Sequence, residues 1–174
     1  GPKGVGALIC NLDLAVEPLQ WGGGQERGLR PGTLPVPLII GFAKAAELAR
    51  SDLASRSQRL ERLRNRLWEG LKQRKPTVLL NGDAIARLPH NLNITIPGIS
   101  GSKLHRALRS RVACSSGSAC SRGEPSHVLM ALGRSRQEAE ASLRLSLGRS
   151  TTEHEIDQAI QAINDVIHQL RHKP

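Results

Sequence analysis

The last twenty or so residues carry the clearest pattern in the chain. Ile156, Ala159, Ile160, Ile163, Val166, Ile167 and Leu170 recur at three- and four-residue steps with polar residues between them, which predicts a long amphipathic helix. Thr152 and Glu155 stand at the spacing of a capping box that would start it. A second helical pattern runs from about Pro37 to Lys72. It holds Ile39, Phe42, Ala46 and Leu48 first, then Leu60, Leu63, Leu67 and Leu71. Ser51-Asp52 is expected to break it into two helices, the second opening a C-terminal domain. Strand periodicity shows at Leu92, Ile94 and Ile96, which alternate with polar neighbours. Ala141 to Leu147 also reads as a strand, as do Thr77 to Leu80 before the turn pair Asn81-Gly82, and the short Val112 to Cys114. The apolar run Val5 to Asn11 is expected to be a buried strand. Shorter helices are predicted from the N-cap Ser102 through Arg109, from Pro125-Ser126 through Leu132, and over Arg136 to Ala141. Strands alternating with helices indicate an α/β or α+β architecture.

Composition narrows the classes. With 174 residues, 39% of them hydrophobic, the chain can bury one compact core or a domain plus part of another. No apolar run approaches the roughly 20 residues of a membrane span, and the opening Gly-Pro-Lys-Gly is no secretory leader. It is no natural start either, so the chain is expected to begin inside a larger protein. Three cysteines, Cys10, Cys114 and Cys120, fit neither a disulfide framework nor a zinc site. They suit a reducing cytoplasm with one reactive thiol, Cys10 and Cys114 being expected as small buried hydrophobes. The formal charge is +10, yet aromatics are 2% of the chain and Tyr is absent. A base-stacking surface is therefore nearly unavailable, and an anionic ligand or an acidic protein is the expected partner in place of nucleic acid.

Three segments attract chemistry. The stretch from Gly22 to Thr33 contains Gly22, Gly23, Gly24, Gly28 and Gly32 with Arg27, Arg30 and Thr33. Such a loop allows close approach to an anion, or it is simply an ordered connection. Ser115-Ser116-Gly117-Ser118-Ala119-Cys120 places a thiol among small residues with Arg122 two positions on. An accessible thiol of that kind is a nucleophile once ionised, and the same composition also makes a flexible connector. Arg144 sits in the predicted strand Leu143 to Leu147 among apolar neighbours, where a guanidinium needs an anion. A bound carboxylate answers that need, and an internal salt bridge or a place on an edge strand would account for the residue equally well. The histidines show no metal-ligand spacing: His154 and His168 fall in the final helix, His90 and His127 border other segments, and His105 and His172 are expected to be solvated.

Six segments occur together in a fixed order: Gly1 to Leu8 (GPKGVGAL), Gly22 to Thr33 (GGGQERGLRPGT), Leu88 to Asn93 (LPHNLN), Ser115 to Cys120 (SSGSAC), Pro125 to Leu129 (PSHVL) and Arg144 to Arg149 (RLSLGR). On these the chain resembles the C-terminal portion of pyridoxal-phosphate-dependent cysteine desulfurases of the NifS/IscS type, in the class V aminotransferase family. The resemblance implies a fold-type-I transferase, with residues 1–50 belonging to the large cofactor domain and 51–174 forming a small α+β domain. It implies a homodimer that removes sulfur from L-cysteine, leaves L-alanine and holds a persulfide on Cys120. That sulfur would supply an acceptor or an iron–sulfur scaffold protein. Arg144 matches the residue that binds the substrate carboxylate, and Thr33 the one that reaches the cofactor phosphate across the dimer. The lysine that carries pyridoxal phosphate lies upstream of GPKG in the family, so Lys3 is not that lysine and this stretch alone is expected to be inert. Only Ser121 to Glu124 separate Cys120 from Pro125, fewer residues than in long-loop members. A selenocysteine lyase of the same family, or a non-enzymatic persulfide carrier, are the competing readings.

Overall fold

A computed structural model describes residues 1–11, 13–73, 78–115 and 124–172. The chain falls into two compact units, Gly1–Leu53 and Ala54–Pro174. Each is built on different terms.

The first unit contains a short 3-10 turn at Gln25–Gly28 and the helix α1 (Val36–Ser51). Pro37 sits in the first turn of α1, where a missing N–H is harmless. The helix ends where the Ser51 hydroxyl turns back to the Leu48 carbonyl and Asp52 leaves helical geometry at φ −109°. The expected strand over Val5–Asn11 does not form. That run belongs to no strand, and Leu8 and Ile9 are exposed. An apolar run becomes a strand only where neighbours take its N–H and C=O groups, and none does so among the described residues. Cys10, expected to be buried, is exposed for the same reason.

The second unit holds the core. Helix α2 (Leu53–Lys72) begins at the boundary, and strands β1 (Leu79–Leu80) and β2 (Asn91–Thr95) follow. Then come α3 (Gly101–Leu108), α4 (His127–Ala131), α5 (Arg136–Glu140), β3 (Ser142–Ser146) and α6 (Glu153–His172). The sheet order is β1-β2-β3, antiparallel throughout. In the β2–β3 register Asn91 faces Ser146, Asn93 faces Arg144 and Thr95 faces Ser142, while Leu92 faces Leu145 and Ile94 faces Leu143. Period two therefore sorts the sheet into a polar face and an apolar one.

The apolar face meets the helices. Leu92, Ile94, Leu143 and Leu145 pack with Leu63, Leu67 and Leu71 of α2, Leu104 and Leu108 of α3, and Ile163, Val166 and Ile167 of α6. Each such side chain stabilises the fold by about 1.5–3 kcal/mol when fully buried. Helices α2 and α6 approach closely enough that a Cβ on Gly70 would strike Ile160. Outside the core, Arg66 pairs with Asp157 at 2.8 Å. Two capping boxes open helices. In α5 the Ser135 hydroxyl accepts from the Glu138 N–H while Glu138 accepts from the Ser135 N–H. Thr152 and Glu155 do the same for α6. The N-cap of α3 is Ser100 rather than the expected Ser102, because Gly101 already lies in the helix, wedged against the Glu140 and Ser142 carbonyls. Only a residue without a side chain fits there. The segment before Ser115 makes a single β-bridge, Ser115 with Arg144, in place of the strand expected over Val112–Cys114.

Two outcomes follow. Gly101→Ala places a methyl 3.0 Å from the Ser142 carbonyl and nearer still to that of Glu140; urea denaturation should show a loss of about 1–3 kcal/mol, with Ser102→Ala near neutral. The backbone hydrogen bonds of the caps hold the Glu138 and Glu155 carboxyls below their ordinary range. Their stabilisation is thus present above the unfolded pKa of about 4.3 and is lost as pH falls through the lower folded value. Glu138→Gln with Glu155→Gln, which can still cap, should flatten the acid limb of a Tm-against-pH curve.

Candidate active site

The polar face of the sheet is the floor of a groove of about 530 Å³ in the second unit. Asn91, Asn93 and Arg144 lie on that floor, Leu88, Val128 of α4 and its C-cap Leu132 form apolar walls, and Arg87 also lines the groove. Sequence neighbours suggested a mostly buried setting for Arg144, but within β3 Ser142, Leu143 and Leu145 are buried while Arg144 and Ser146 are exposed. Leu143 and Leu145 face the core, and Arg144 is exposed on the opposite side. Its guanidinium has no hydrogen-bond or ion-pair partner among the described residues. The backbone of Arg144, by contrast, is fully engaged. It pairs with Asn93 of β2 on one side, and on the other its N–H donates to the Ser115 carbonyl at 2.7 Å and its carbonyl accepts from the Ser115 N–H at 3.0 Å. The strand position is rigid and the cationic head is open to an anion.

Cys120 and Arg122 lie outside the described residues, which end at Ser115 and resume at Glu124. Both flanks of that segment are anchored to this unit. Before it, the His105 Nε2 lies 3.0 Å from the Cys114 carbonyl, so His105 is half-buried and bonded rather than solvated. Cys114 itself packs against the core, and burial pushes its thiol pKa up, which makes it a poor nucleophile. After it, Glu124 pairs with Arg136 at 3.0 Å, Pro125 is buried, and the Ser126 hydroxyl caps α4 by accepting from the Leu129 N–H. Ser126 and His127 line the same groove as Arg144.

Within the floor is a largely buried polar network that the sequence pattern did not single out. Asn81 donates to the Asn93 side chain at 2.8 Å and to the Ser142 hydroxyl at 3.2 Å, and it accepts from Thr95 at 3.0 Å and from Arg134 Nε at 2.7 Å. Arg134 also donates to the Leu80 carbonyl at 2.7 Å, and Ser142 to the Glu138 carbonyl at 2.8 Å. Alternating polar residues on β2 and β3 were the one available signal. The entry to β2 is held likewise: Arg64, only 4% exposed, donates to the Leu88 carbonyl at 3.3 Å. At the rim Asp83 accepts from the Ile85 and Ala86 N–H groups at 2.6 Å each, and these bonds lower its pKa. Burial and the nearby Arg64 charge draw the Arg87 pKa down.

Thr33 belongs to the first unit and is described there alone. It is exposed at the end of the glycine-rich loop. Glu26 and Arg27 take left-handed backbone at φ 51° and 59°, followed by Gly28 at 77° and Gly32 at 115°. Left-handed conformation costs a non-glycine residue about 1–2 kcal/mol, and such strain concentrates at functional loops. The Gln25 side chain closes the loop by accepting from the Gly32 N–H at 3.2 Å. Arg30 donates to Gln20. An exposed hydroxyl, N–H groups in left-handed turns and nearby arginines form a donor set that suits a phosphate.

The fold and this arrangement define a class V aminotransferase: the family described as Aminotransferase class-V matches residues 1–159, and the chain belongs to it. The chain is 46% identical to the cysteine desulfurase IscS of Aeromonas salmonicida over 98% of its own length and 43% of that protein's. It is 47% identical to the cysteine desulfurase IscS of Photorhabdus laumondii, with the same coverage. A NifS-like protein of known structure superposes with a TM-score of 0.79 at 34% identity, covering 91% of this chain and 41% of that one. The chain thus spans less than half the length of the curated relatives it matches. Among the described residues no helix is long and apolar enough to cross a membrane, and no cluster of His, Cys, Asp or Glu is arranged to hold a metal.

The network makes a sharp claim on stability. Asn81→Ala leaves Arg134, Thr95 and Ser142 short of a buried partner, and chemical denaturation should register a loss of about 2 kcal/mol or more. Gln58→Ala, on the exposed side of α2, should lose distinctly less.

Proposed function

We propose that this chain is part of a pyridoxal-phosphate-dependent cysteine desulfurase that moves sulfur from L-cysteine to Cys120. The observation that carries the reading is Arg144: an open guanidinium on a rigid strand, whose own backbone pairs with Ser115 at the root of the Cys120 segment. On this reading Arg144 would hold the substrate carboxylate and Cys120 would be the nucleophile.

Residues 1–50 serve as part of the cofactor domain and 51–174 as the small domain. The Thr33 hydroxyl would hold the cofactor phosphate, across a homodimer as in the family. When bound, pyridoxal phosphate supplies the electron sink that weakens the bond from carbon to sulfur in the substrate. The chain's own residues do the rest. Arg144 holds the carboxylate through two parallel N–H donors, and the apolar groove walls limit water around it. The Cys120 thiolate attacks the substrate sulfur. The S–S bond of a persulfide forms as the C–S bond breaks, and the carbon fragment takes a proton and leaves as alanine. Such an enzyme works in a reducing cytoplasm and passes its sulfur to an acceptor or iron–sulfur scaffold protein.

The test is alanine release from L-cysteine by the full-length polypeptide loaded with pyridoxal phosphate. Cys120→Ala should abolish it. Arg144→Ala should raise KM for cysteine about 30- to 100-fold, matching the roughly 2–3 kcal/mol of a charge-assisted bidentate contact, and Arg144→Lys should recover little, because a lysine lacks the fork. Thr33→Val should weaken cofactor retention during dialysis. Absence of alanine with the wild type would overturn the reading, and selenocysteine turnover that survives Cys120→Ala would transfer it to a selenocysteine lyase.

A further inference from the structure

Many basic side chains of the second unit have partners. Arg66 meets Asp157 at 2.8 Å, Lys72 meets Glu69 at 2.7 Å, Arg111 meets Asp165 at 3.0 Å and Arg136 meets Glu124 at 3.0 Å. Arg59 and Arg171 donate to the backbone carbonyls of Thr151 and Pro97. Helix α3 departs from this habit. Lys103, Arg106 and its C-cap Arg109 are all exposed, and none makes a side-chain hydrogen bond or ion pair among the described residues. They recur at steps of three, on the side of the helix away from the buried Leu104 and Leu108, and span about 9 Å of helix. The segment Gly101–Leu108 contains no acidic residue that could balance them. Three like charges so close repel one another, and the arrangement is relieved only by an opposing surface or by salt.

The position of this face matters as much as its charge. Helix α3 runs directly into the root of the Cys120 segment: the Val112 N–H donates to the Leu108 carbonyl at 2.9 Å, and His105 lies against the Cys114 carbonyl at 3.0 Å. A macromolecule seated on Lys103, Arg106 and Arg109 is thereby brought beside that root. Nucleic acid fits less well. The face carries no aromatic side chain for stacking, and the chain has one Phe and no Tyr.

We propose that the exposed side of α3 is a docking surface for an acidic protein, whose carboxylate-rich patch lies beside the thiol that receives sulfur from Cys120. The proposal rests on the desulfurase reading and adds the chemistry of the acceptor. In the transfer the acceptor thiolate attacks the outer sulfur of the Cys120 persulfide. One S–S bond forms and one breaks, and Cys120 returns as thiolate, so no external oxidant or reductant is needed. Complementary charge acts mainly on the rate of encounter.

The experiment uses the full-length holoenzyme and two synthetic acceptors of equal length, one Glu-rich and one Lys-rich, each with a single Cys. Persulfide on each peptide is followed by mass spectrometry at low salt, with alanine release to a small thiol measured alongside. The wild type should load the Glu-rich peptide about tenfold faster than the Lys-rich one, and the preference should shrink as salt rises. The triple variant K103Q/R106Q/R109Q should lose that preference and keep its alanine release, whereas R62Q, an exposed control on α2, should retain both. Equal loading of the two peptides by the wild type, or an unchanged preference in the triple variant, overturns the proposal while alanine release continues. Loss of alanine release in the wild type sinks the desulfurase reading instead. A 20-base-pair DNA duplex serves as a third arm: if it outcompetes the Glu-rich peptide on the wild type but not on the triple variant, the face is a nucleic-acid site and the proposal fails.

Discussion

The antiparallel pairing of β2 with β3 is the constraint on which the rest of the second unit depends. Asn91, Asn93 and Thr95 stand opposite Ser146, Arg144 and Ser142, while Leu92 and Ile94 stand opposite Leu145 and Leu143. A slip of one residue would turn Arg144 into the core and Leu143 into the groove. With Leu143 and Ile94 wholly buried, the energetic penalty for that slip is several side-chain burials at once. The hydrophobic core thus decides where a charged residue points, although it never touches that residue's guanidinium.

Polar burial completes what the apolar face begins. The floor beneath Arg144 is fastened by Asn81, which donates to the Asn93 and Ser142 side chains and accepts from Thr95 and Arg134. Each group in that network would be costly if left alone, so strand β1, helix α5 and the two longer strands are held in one mutual arrangement. A rigid floor spares a bound anion the entropy of ordering its own site. This is also why Arg144 can remain without a partner among the described residues. Its neighbours on the floor, Asn93 and Ser142, already have their hydrogen bonds, and among the described residues no carboxylate pairs with it.

Periodicity made most of the second unit legible. The Thr152–Glu155 capping box, the helical stripe after it, the break between α1 and α2 near Ser51-Asp52, and the β2 alternation all follow from side-chain spacing over short distances. What spacing could not show was set by distant partners. Whether Val5–Asn11 is a strand depends on other strands, and Ser100 caps α3 because Gly101 must clear carbonyls about forty residues away. His105 is bonded to Cys114 through a fold contact that no local pattern encodes. For Arg144 the same rule cut the other way. Its apolar neighbours in sequence suggested burial, but in a sheet buried on one face they are the reason it is exposed.

The candidate site residues came by a different route, through ordered motifs rather than through energetics, and the two routes meet at one place. Motif order singles out Arg144 and Cys120 separately, and neither motif says how far apart they are. The bridge between Ser115 and Arg144 supplies that link. It ties the base of the cysteine segment to the strand that presents the guanidinium. On the other flank, Glu124 and the Ser126 cap fix the return of the chain beside the same groove. The desulfurase reading and the docking proposal both draw on these flanks, Arg144 beside one of them and the exposed Lys103, Arg106 and Arg109 of α3 leading into it.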